Sequence, residues 1–216
     1  MRLGVFGGTF DPVHIGHLVA AVNVRHALAL DRVMLVVANE PWQKAARAIT
    51  PAEDRFGVLA ASVSGLEGLE ASRIEIDRGG VSYTVDTITQ LRRVHPGDEL
   101  YLVVGEDVAR GLATWDRAGE LRQMVRLAVV TRGSPLAPLS PDGARGTPGS
   151  PDSSVATPGA DGMPDGWSGV TVAIPNLDIS STEIRERAAA GQPIDLLVPA
   201  GGMAQILARG LYSCNR

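Results

Sequence analysis

The chain is short of cysteine and of long apolar runs, and both shortages exclude classes of protein. Cys214 is the only cysteine among 216 residues, which excludes an intrachain disulfide framework and a cysteine-rich zinc site and is typical of a reducing compartment. No apolar run approaches the roughly 20 residues that span a bilayer, and the first residues have no signal-peptide pattern. We therefore expect a cytoplasmic protein without a membrane partner.

The chain also lacks clusters of basic residues. Lysine and arginine number 20 against 24 aspartates and glutamates, a net charge of −4, and no basic run is present that could neutralise a nucleic-acid backbone. We therefore expect no nucleic-acid partner, although this balance is compatible with a local basic pocket. The hydrophobic content of 44% fits a globular protein with one sizeable core or two small ones.

Predicted strands and helices alternate along most of the chain. Apolar runs predict buried strands, and periodic apolar positions predict helices between them. The predicted strands are residues 2–6, 32–38, 72–77, 100–104, 127–131 and 170–174, and the predicted helices are residues 15–30, 51–63, 84–94, 109–124 (in two pieces around Trp115), a helix that opens at Ser180 or Ser181, and 200–209. Strands that are apolar throughout are typical of a parallel sheet covered on both faces. We predict an α/β fold, a Rossmann-like doubly wound parallel sheet with C-terminal helices.

Short polar segments predict where helices begin and where the chain turns. Thr50-Pro51-Ala52-Glu53 predicts a capping box, with Thr50 as the N-cap and Glu53 three residues beyond it. Gly79-Gly80 predicts a turn, and Thr84 is a candidate cap for the helix that follows.

Residues 133–169 interrupt this regular pattern. The segment holds seven of the 14 prolines and eight of the 25 glycines, with little apolar material. Such a segment cannot bury a core. We predict a single domain over residues 1–216, interrupted there by a long mobile loop or a disordered insert.

The stretch from Gly7 to His17, GGTFDPVHIGH, joins the first predicted strand to the first predicted helix. Glycines allow backbone N–H groups to approach an anion, and a helix N-terminus adds partial positive charge. His14 and His17 are three residues apart, so they project from one side of the first turn. Two imidazoles beside a phosphate-sized concavity indicate phosphoryl or nucleotidyl chemistry.

Ligands of open α/β sheets bind at the carboxyl ends of the strands. This rule places five segments at one rim: the Gly7 loop, the Asn39 loop, residues 105–107, Arg132 and residues 180–185. The last segment combines hydroxyls and N–H groups at a helix N-terminus with a guanidinium one turn later, which suits ATP phosphates.

Most of these residues also have a structural interpretation. The two histidines could cap the helix or hold zinc, although no third ligand lies at nearby spacing. Trp115 offers a flat face to a pyridine ring and would equally suit a core position at a helix junction. Lys44 could be a solvated surface residue, and Thr84, Asp107 and Ser180 could be ordinary helix caps.

The stretch around His14 and His17 resembles the first signature of the HxGH superfamily of nucleotidyltransferases, whose members join a nucleotide to a phosphate with loss of pyrophosphate. Residues 179–185, ISSTEIR, look like the second signature of that superfamily, ISSTxIR. Alone, residues 179–185 would be interpreted as an ordinary serine-capped helix. The presence of both signatures favours the functional interpretation.

A closer resemblance is to the bacterial nicotinate-nucleotide adenylyltransferases, which make deamido-NAD from nicotinate mononucleotide and ATP. Besides the long form of the first signature, four segments carry it: the loop 39–44 ending in Lys44, the SYTVDT stretch from Ser82, Gly105-Glu106-Asp107 with Trp115 eight residues later, and the RLAVVTR stretch ending at Arg132. The resemblance covers nearly the whole chain except residues 133–169.

The resemblance implies roles for individual residues. It implies catalytic roles for His14, His17, Lys44 and Arg185; ATP binding by Gly7, Gly8, Thr9, Phe10, His14, His17, Gly105, Asp107, Ile179, Ser180, Ser181, Thr182 and Arg185; and mononucleotide binding by Lys44, Ser82, Tyr83, Thr84, Trp115 and Arg132. It also implies that Mg²⁺ enters with ATP, with no dedicated metal site on the protein. Relatives form various homo-oligomers, so the oligomeric state stays open.

The chain departs from the family pattern in three places. Gln43 precedes Lys44 where a histidine is frequent, Asp54 likewise precedes Arg55, and the 133–169 segment is longer and richer in proline and glycine than expected. Two other functions stay open: the same chemistry on another small phosphate such as phosphopantetheine, and a nucleotide-binding sensor that no longer catalyses. Whether the amidated mononucleotide is also used depends on loop geometry around Tyr83 and Thr84.

Overall fold

The computed structural model describes residues 1–42, 48–133, 156–157 and 163–212. Within them the strands are β1 (Arg2–Gly8), β2 (Arg32–Val37), β3 (Glu40–Pro41), β4 (Leu69–Ser72), β5 (Val81–Ser82), β6 (Glu99–Gly105), β7 (Arg126–Arg132), β8 (Ala156–Thr157) and β9 (Gly169–Ile174). The α-helices are α1 (Ile15–Ala27), α2 (Ala52–Val63), α3 (Ile74–Arg78), α4 (Thr84–Val94), α5 (Glu106–Ala109), α6 (Ala118–Met124), α7 (Ser181–Ala189) and α8 (Ala200–Arg209), with a 3₁₀ turn over Leu112–Thr114. No helix in these ranges is long and apolar enough to cross a membrane.

The main sheet has the order β4-β2-β1-β6-β7-β9-β8, and all of these strands except β8 run parallel. Starting from β1, the chain first builds outward through β2 and β4. It then returns to the other side of β1 with β6 and continues outward through β7 and β9. This is the doubly wound arrangement with one reversal of strand order, between β1 and β6. The predicted fold class is confirmed.

Helices cover both faces of the sheet, because alternate strand residues point to opposite sides. In β6, Tyr101 and Val103 belong to one buried cluster, while Leu100, Leu102 and Val104 belong to the other. The first cluster also contains buried residues of α1, α2, α7 and α8, and the second contains those of α4, α5 and α6. We call these clusters the first and second core layers.

The prediction of a strand over residues 72–77 is wrong. β4 ends at Ser72, and residues Ile74–Arg78 form helix α3. Ile74 packs against the second core layer and Ile76 against the first. Because α3 contacts both layers, its apolar residues alternate along the sequence as they would in a strand. Glu75 is buried and accepts a hydrogen bond from Thr87 Oγ1 at 2.5 Å.

The predicted capping box at Thr50 is also wrong. Helix α2 begins at Ala52 with Pro51 as the N-cap and no side-chain cap. Glu53 pairs instead with Arg73, at 2.8 Å between Oε1 and Nη2, and the Thr50 carbonyl accepts a hydrogen bond from Arg55 Nε at 2.7 Å. Glu53 has therefore exchanged the predicted cap bond for a tertiary partner.

The other predicted elements agree with the structure apart from their ends. Helix α4 has the predicted range with Tyr83, not Thr84, at the N-cap, and Gly79 and Gly80 have φ of 72° and 69° as the predicted turn requires. In the range predicted as a helix in two pieces around Trp115, the 3₁₀ turn Leu112–Thr114 precedes that residue and α6 follows it, with Arg117 in the left-handed region between them. Ser180 is the N-cap of α7, and its Oγ accepts a hydrogen bond from the Glu183 backbone N–H at 3.1 Å.

Most of the predicted insert lies outside the described residues. At its end, Met163 and Trp167 pack against the second core layer, and β9 begins at Gly169. Residues 163 and 167 therefore add packing to a core built by other elements, and the prediction of a mobile loop or a disordered insert stays a prediction. Nearer its middle, β8 pairs antiparallel with β9.

Close packing of α8 on α2 generates a stability prediction. A Cβ at Gly201 would lie 2.1 Å from the Ala61 carbonyl oxygen, whereas a Cβ at Gly119 would have nothing within 4 Å. Because the clash is with backbone, we expect Gly201→Ala to lower the free energy of unfolding by about 1–3 kcal/mol. Gly119 is likewise the second residue of its helix, so Gly119→Ala is the matched control. It should leave stability unchanged or raise it by up to about 1 kcal/mol. Urea denaturation measures both, and equal effects would contradict the packing interpretation.

Candidate active site

The candidate site is a cleft of about 370 Å³ at the reversal of strand order between β1 and β6. Its walls come from the loops and helices that follow the carboxyl ends of β1, β6, β7 and β9. Six residues predicted from the sequence line it: His14, His17, Gly105, Asp107, Arg132 and Ile179. The structure therefore brings together segments that are up to 165 positions apart in the chain, from His14 to Ile179, at the place where doubly wound sheets bind ligands.

His14 is the most buried polar residue of the cleft wall, with 6% of its surface exposed. Burial lowers the pKa of the His14 imidazole to about 4, with a smaller contribution from the positive charge of Arg132. The ring is therefore neutral at pH 7 and can donate one hydrogen bond and accept another without adding charge. Its Nδ1 is a buried polar atom with no hydrogen-bond partner among the described residues.

His17 stacks on His14 one turn along the start of α1. The ring centroids are 3.7 Å apart, and His17 Nδ1 accepts a hydrogen bond from the His14 backbone N–H at 3.2 Å. This bond assigns the proton of a neutral His17 ring to Nε2. Phe10 contacts the ring edge-on at 5.1 Å between centroids. The two imidazoles are thus oriented by their own helix turn and by an aromatic wall.

The glycines of the first signature do not form the turn that the sequence predicts. Gly7 and Gly8 are the last residues of β1 and pair with Val36 and Val37 of β2. The turn begins at Thr9, and Phe10 has a φ of 49°. A Cβ at Gly8 would lie 2.8 Å from the Phe10 ring, so this glycine makes room for the aromatic side chain that contacts His17.

The second signature lies directly against the first. Ser181 Oγ donates a hydrogen bond to the Pro12 carbonyl at 2.8 Å, and Arg185 Nη1 donates one to the Asp11 carbonyl at 2.6 Å. The Nη2 atom of Arg185 also lies 3.3 Å from Thr182 Oγ1. The two signatures therefore form one continuous wall, and in this conformation the Arg185 guanidinium supports the first loop.

The residues predicted to bind the mononucleotide lie mainly on the side of the second core layer. Tyr83 and Trp115 are both partly buried against that layer, and Ser82 Oγ accepts a hydrogen bond from the Asn39 backbone N–H at 2.8 Å. An ion pair between Arg117 and Asp86 ties the Trp115 segment to the helix that begins at Thr84. Of the members of this set that the structure describes, Arg132 is the one that lines the cleft itself.

Lys44 lies outside the described residues, so its predicted role stays a prediction. The loop that leads to it is described as far as Trp42, and Glu40–Pro41 pairs with Val81–Ser82 as a two-stranded parallel ribbon. This pairing brings the loop after β2 to the loop before α4.

Several cleft residues were missed by sequence reasoning. Arg110 lines the cleft and forms an ion pair, one helical turn away, with Glu106, which the sequence placed at the rim but to which it assigned no role. Their spacing of four residues, directly after a predicted strand, is the signal that could have found them. Asp11 does not line the cleft, but its carbonyl accepts the hydrogen bond from Arg185, and its position in the first signature does not by itself distinguish it from its neighbours.

Possible metal ligands are sparse in the part of the chain that the structure describes. No group of three or more histidine, cysteine, aspartate or glutamate side chains lies close enough together there to hold a metal ion. His14 and His17 are stacked on each other rather than converging on a common point.

Comparison with a family model shows the class of protein to which the chain belongs. A family model described as cytidylyltransferase-like matches residues 5–187. Its span includes the whole β1–α1 signature, the strand reversal and most of α7. The match and the cleft at the reversal of strand order together identify a nucleotidyltransferase with an α/β fold.

Similarity to individual relatives then shows the particular family. A probable nicotinate-nucleotide adenylyltransferase of Corynebacterium kroppenstedtii is 39% identical over 211 residues, covering 98% of this chain and 90% of that protein. One of Thermus thermophilus is 37% identical over 215 residues, covering 98% and 100%. The structure of Plasmodium falciparum nicotinic acid mononucleotide adenylyltransferase complexed with NaAD aligns with a TM-score of 0.71 at 16% identity, covering 98% and 97% of the two chains. The chain belongs to the nicotinate-nucleotide adenylyltransferase family.

The low pKa of His14 generates a prediction of pH dependence. Between pH 6.5 and 4 the unfolded chain takes up a proton on this residue that the folded chain does not, so stability falls as the pH falls through this window. We expect the His14 contribution to cost about 2 kcal/mol between pH 7 and pH 5. The free energy of unfolding of His14→Asn should therefore fall less steeply than that of the wild type.

The control for this titration is His26→Asn, which changes an exposed histidine on the same helix and should keep the wild-type slope. An NMR titration of the His14 ring is the direct measurement. A midpoint above pH 6 would contradict the assignment.

Proposed function

We propose that this protein transfers AMP from ATP to nicotinate mononucleotide, giving deamido-NAD and pyrophosphate in NAD biosynthesis. The observation that carries the proposal is that the two nucleotidyltransferase signatures form one wall of the cleft. Hydrogen bonds from Ser181 to the Pro12 carbonyl and from Arg185 to the Asp11 carbonyl join them. Identity of about 38% with adenylyltransferases over nearly the full chain supports the same substrate pair.

In the proposed reaction, an oxygen of the mononucleotide 5′-phosphate attacks the α-phosphorus of ATP in line. The new P–O bond forms as the bond from the α-phosphorus to the bridging oxygen of the β-phosphate breaks, and that electron pair leaves with pyrophosphate. The nucleophile is already an anion near neutral pH, so the reaction needs no general base and no covalent enzyme intermediate. Catalysis then consists of positioning and of stabilising charge.

On the ATP side, we assign His14 and His17 to the phosphates. Both line the cleft, and a neutral His14 is suited to donating a hydrogen bond rather than to adding a charge. Gly105 and Asp107 would contact the ribose or adenine at the start of α5. Arg185 and the hydroxyls of residues 180–182 would bind the triphosphate, which requires Arg185 to exchange its bond to the Asp11 carbonyl for one to the leaving pyrophosphate.

On the acceptor side, we assign the pyridine ring to the face of Trp115 and the nicotinate carboxylate to Thr84 and nearby backbone N–H groups. Ser82 and Tyr83 complete that loop. Lys44 would bridge the nucleophilic phosphate or the triphosphate, and Arg132 would contribute positive charge at the cleft between the two substrates.

We propose that Mg²⁺ enters with ATP, held mainly by phosphate oxygens and water. The cleft is lined by two histidines and by the carboxylates of Glu106 and Asp107, but no three such side chains in the described ranges lie close enough together to hold a metal ion. The metal supplies charge neutralisation on the triphosphate, and we assign it no protein ligand.

We also propose a cytoplasmic location and a single-domain organisation. A reducing compartment suits a chain whose one cysteine is Cys214. A single domain is supported by the two core layers, which share the strands of one sheet.

The first test is pyrophosphate release from purified protein with ATP, Mg²⁺ and a panel of acceptor phosphates. We expect turnover with nicotinate mononucleotide, because the acceptor-side loops match those of the family. Phosphopantetheine is the control for a different acceptor, and nicotinamide mononucleotide measures selectivity. Turnover with phosphopantetheine alone would favour the second enzyme hypothesis, and ATP binding without any turnover would favour a sensor.

A second test separates the chemistry of His17 from its structural role. Asparagine at position 17 retains an acceptor for the His14 backbone N–H but removes the distal ring nitrogen. We expect His17→Asn to reduce kcat by roughly 10²–10³-fold, the usual effect of losing a donor to developing charge. His26→Asn is again the control and should keep wild-type kinetics. A loss below about threefold at saturating substrates would mean that the ring does not contact the reacting phosphates.

A further inference from the structure

We propose that buried Arg55, with Asp11 and Tyr212, is a positioning device that fixes the ATP loop and the acceptor loops relative to one another. The kinetic part of this inference rests on the proposed adenylyl transfer. Arg55, Asp11 and Tyr212 are here called the buttress. None of them is assigned a contact with substrate, and Arg55 acts through the backbone of the loops it holds.

Arg55 is the largest fully buried side chain in the described ranges, with 1% of its surface exposed. Helical spacing places it on the buried face of α2 with Val58, Leu59 and Ser62. A guanidinium stays charged in proteins, so its burial costs free energy unless its donors are used. We therefore expect the donors of the Arg55 guanidinium to be used in hydrogen bonds.

Three backbone carbonyls accept hydrogen bonds from this one guanidinium. Nη1 donates to Thr9 at 2.7 Å, Nη2 to Asn39 at 3.1 Å, and Nε to Thr50 at 2.7 Å. Lysine would keep the charge but could not reproduce this planar fork. The arginine geometry is therefore specific to holding three segments at once.

These segments belong to different sides of the proposed site. Thr9 lies in the loop after β1 that leads to His14, on the ATP side. Asn39 lies in the loop after β2. Its backbone N–H donates a hydrogen bond to Ser82 Oγ, and its side-chain amide donates one to the Gly80 carbonyl at 3.0 Å. Arg55 is thus the junction between the ATP loop and the two acceptor loops.

The last described residue of the chain completes the buttress. Tyr212 donates its hydroxyl to Asp11 Oδ1 at 2.9 Å, and the other carboxylate oxygen accepts the Thr50 N–H at 3.4 Å. The Asp11 carbonyl in turn accepts from Arg185. The negative charge of Asp11 favours the charged form of Arg55 and opposes the effect of burial on its pKa. The C-terminal segment is therefore linked to the triphosphate side of the site.

In-line transfer depends on the distance and angle between two separately bound substrates, and a misplacement of about 1 Å can cost about 10²-fold in rate. If Arg55 sets that alignment, its loss should affect the chemical step more than the binding of either substrate alone. We expect Arg55→Lys to lower kcat per folded molecule about 10²-fold. The Kd of nicotinate mononucleotide alone, and of a non-hydrolysable ATP analogue alone, should change by less than about threefold, measured by calorimetry.

Tyr212→Phe is the milder variant and removes one hydroxyl. We expect it to lower kcat about 2–10-fold, less than Arg55→Lys, because it removes one of the bonds that hold Asp11 and leaves the three bonds of Arg55 in place. Tyr101→Phe is its matched control, because that hydroxyl donates to Glu99 at 2.9 Å at the amino end of β6, far from the cleft, and kcat should not change. If Arg55→Lys does not fold, Tyr212→Phe is the deciding variant, and the comparison is again between the loss of kcat and the change in the Kd of each substrate alone.

Amide hydrogen exchange gives a readout that is independent of activity. Exchange in residues 8–13 and 39–42 should increase in Arg55→Lys and Tyr212→Phe, but not in Tyr101→Phe. An inactive wild-type protein whose variants show this increase would refute the proposed function and leave the buttress intact. Unchanged exchange, unchanged kcat in an active enzyme, or loss of binding of both substrates in proportion to kcat would overturn the buttress.

Discussion

The parallel pairing of β1 with β2 on one side and with β6 on the other is the constraint on which the site depends. After β1 the chain crosses over through α1, which packs in the first core layer, and after β6 it crosses through α5 and α6 in the second. The two connections leave the sheet on opposite faces and open a crevice between them. The histidines reach that crevice from α1, and Gly105 to Asp107 reach it from β6.

Burial then assigns different electrostatic states to the groups around this crevice. His14 is buried, and its proton has been lost at neutral pH, so it contributes direction without charge. Arg132 lies at the rim and stays exposed to water, where a charge costs little to keep. Arg55 is the opposite case, a permanent charge enclosed by carbonyls. The buried groups are therefore either neutral, as His14 is, or have their donors hydrogen-bonded, as Arg55 has. The exposed positive charge of Arg132 lies where a phosphate could approach from solvent.

Sequence reasoning succeeded where one local signal and the tertiary structure agree. The last helix, residues Ala200–Arg209, has the predicted range, and the Ser180 cap forms as predicted. It failed where tertiary contacts overrode the local pattern. Residues 74–78 form a helix because Ile74 and Ile76 pack on opposite layers, and Glu53 leaves its cap position for Arg73. Gly7 and Gly8 stay in the strand because β2 continues to pair with them.

The sequence by itself determined the doubly wound fold, the two signatures and the chemistry they indicate, because strand burial, helix periodicity and short motifs are encoded by neighbouring residues. Only the tertiary structure decided that Arg185 and Ser181 support the loop of Asp11 and Pro12, that His14 is neutral, and that Arg55 joins loops on both sides of the site. These properties depend on distances between distant segments and on exclusion of water. Neither quantity is encoded in the local order of residues, so each exists only once the sheet has assembled.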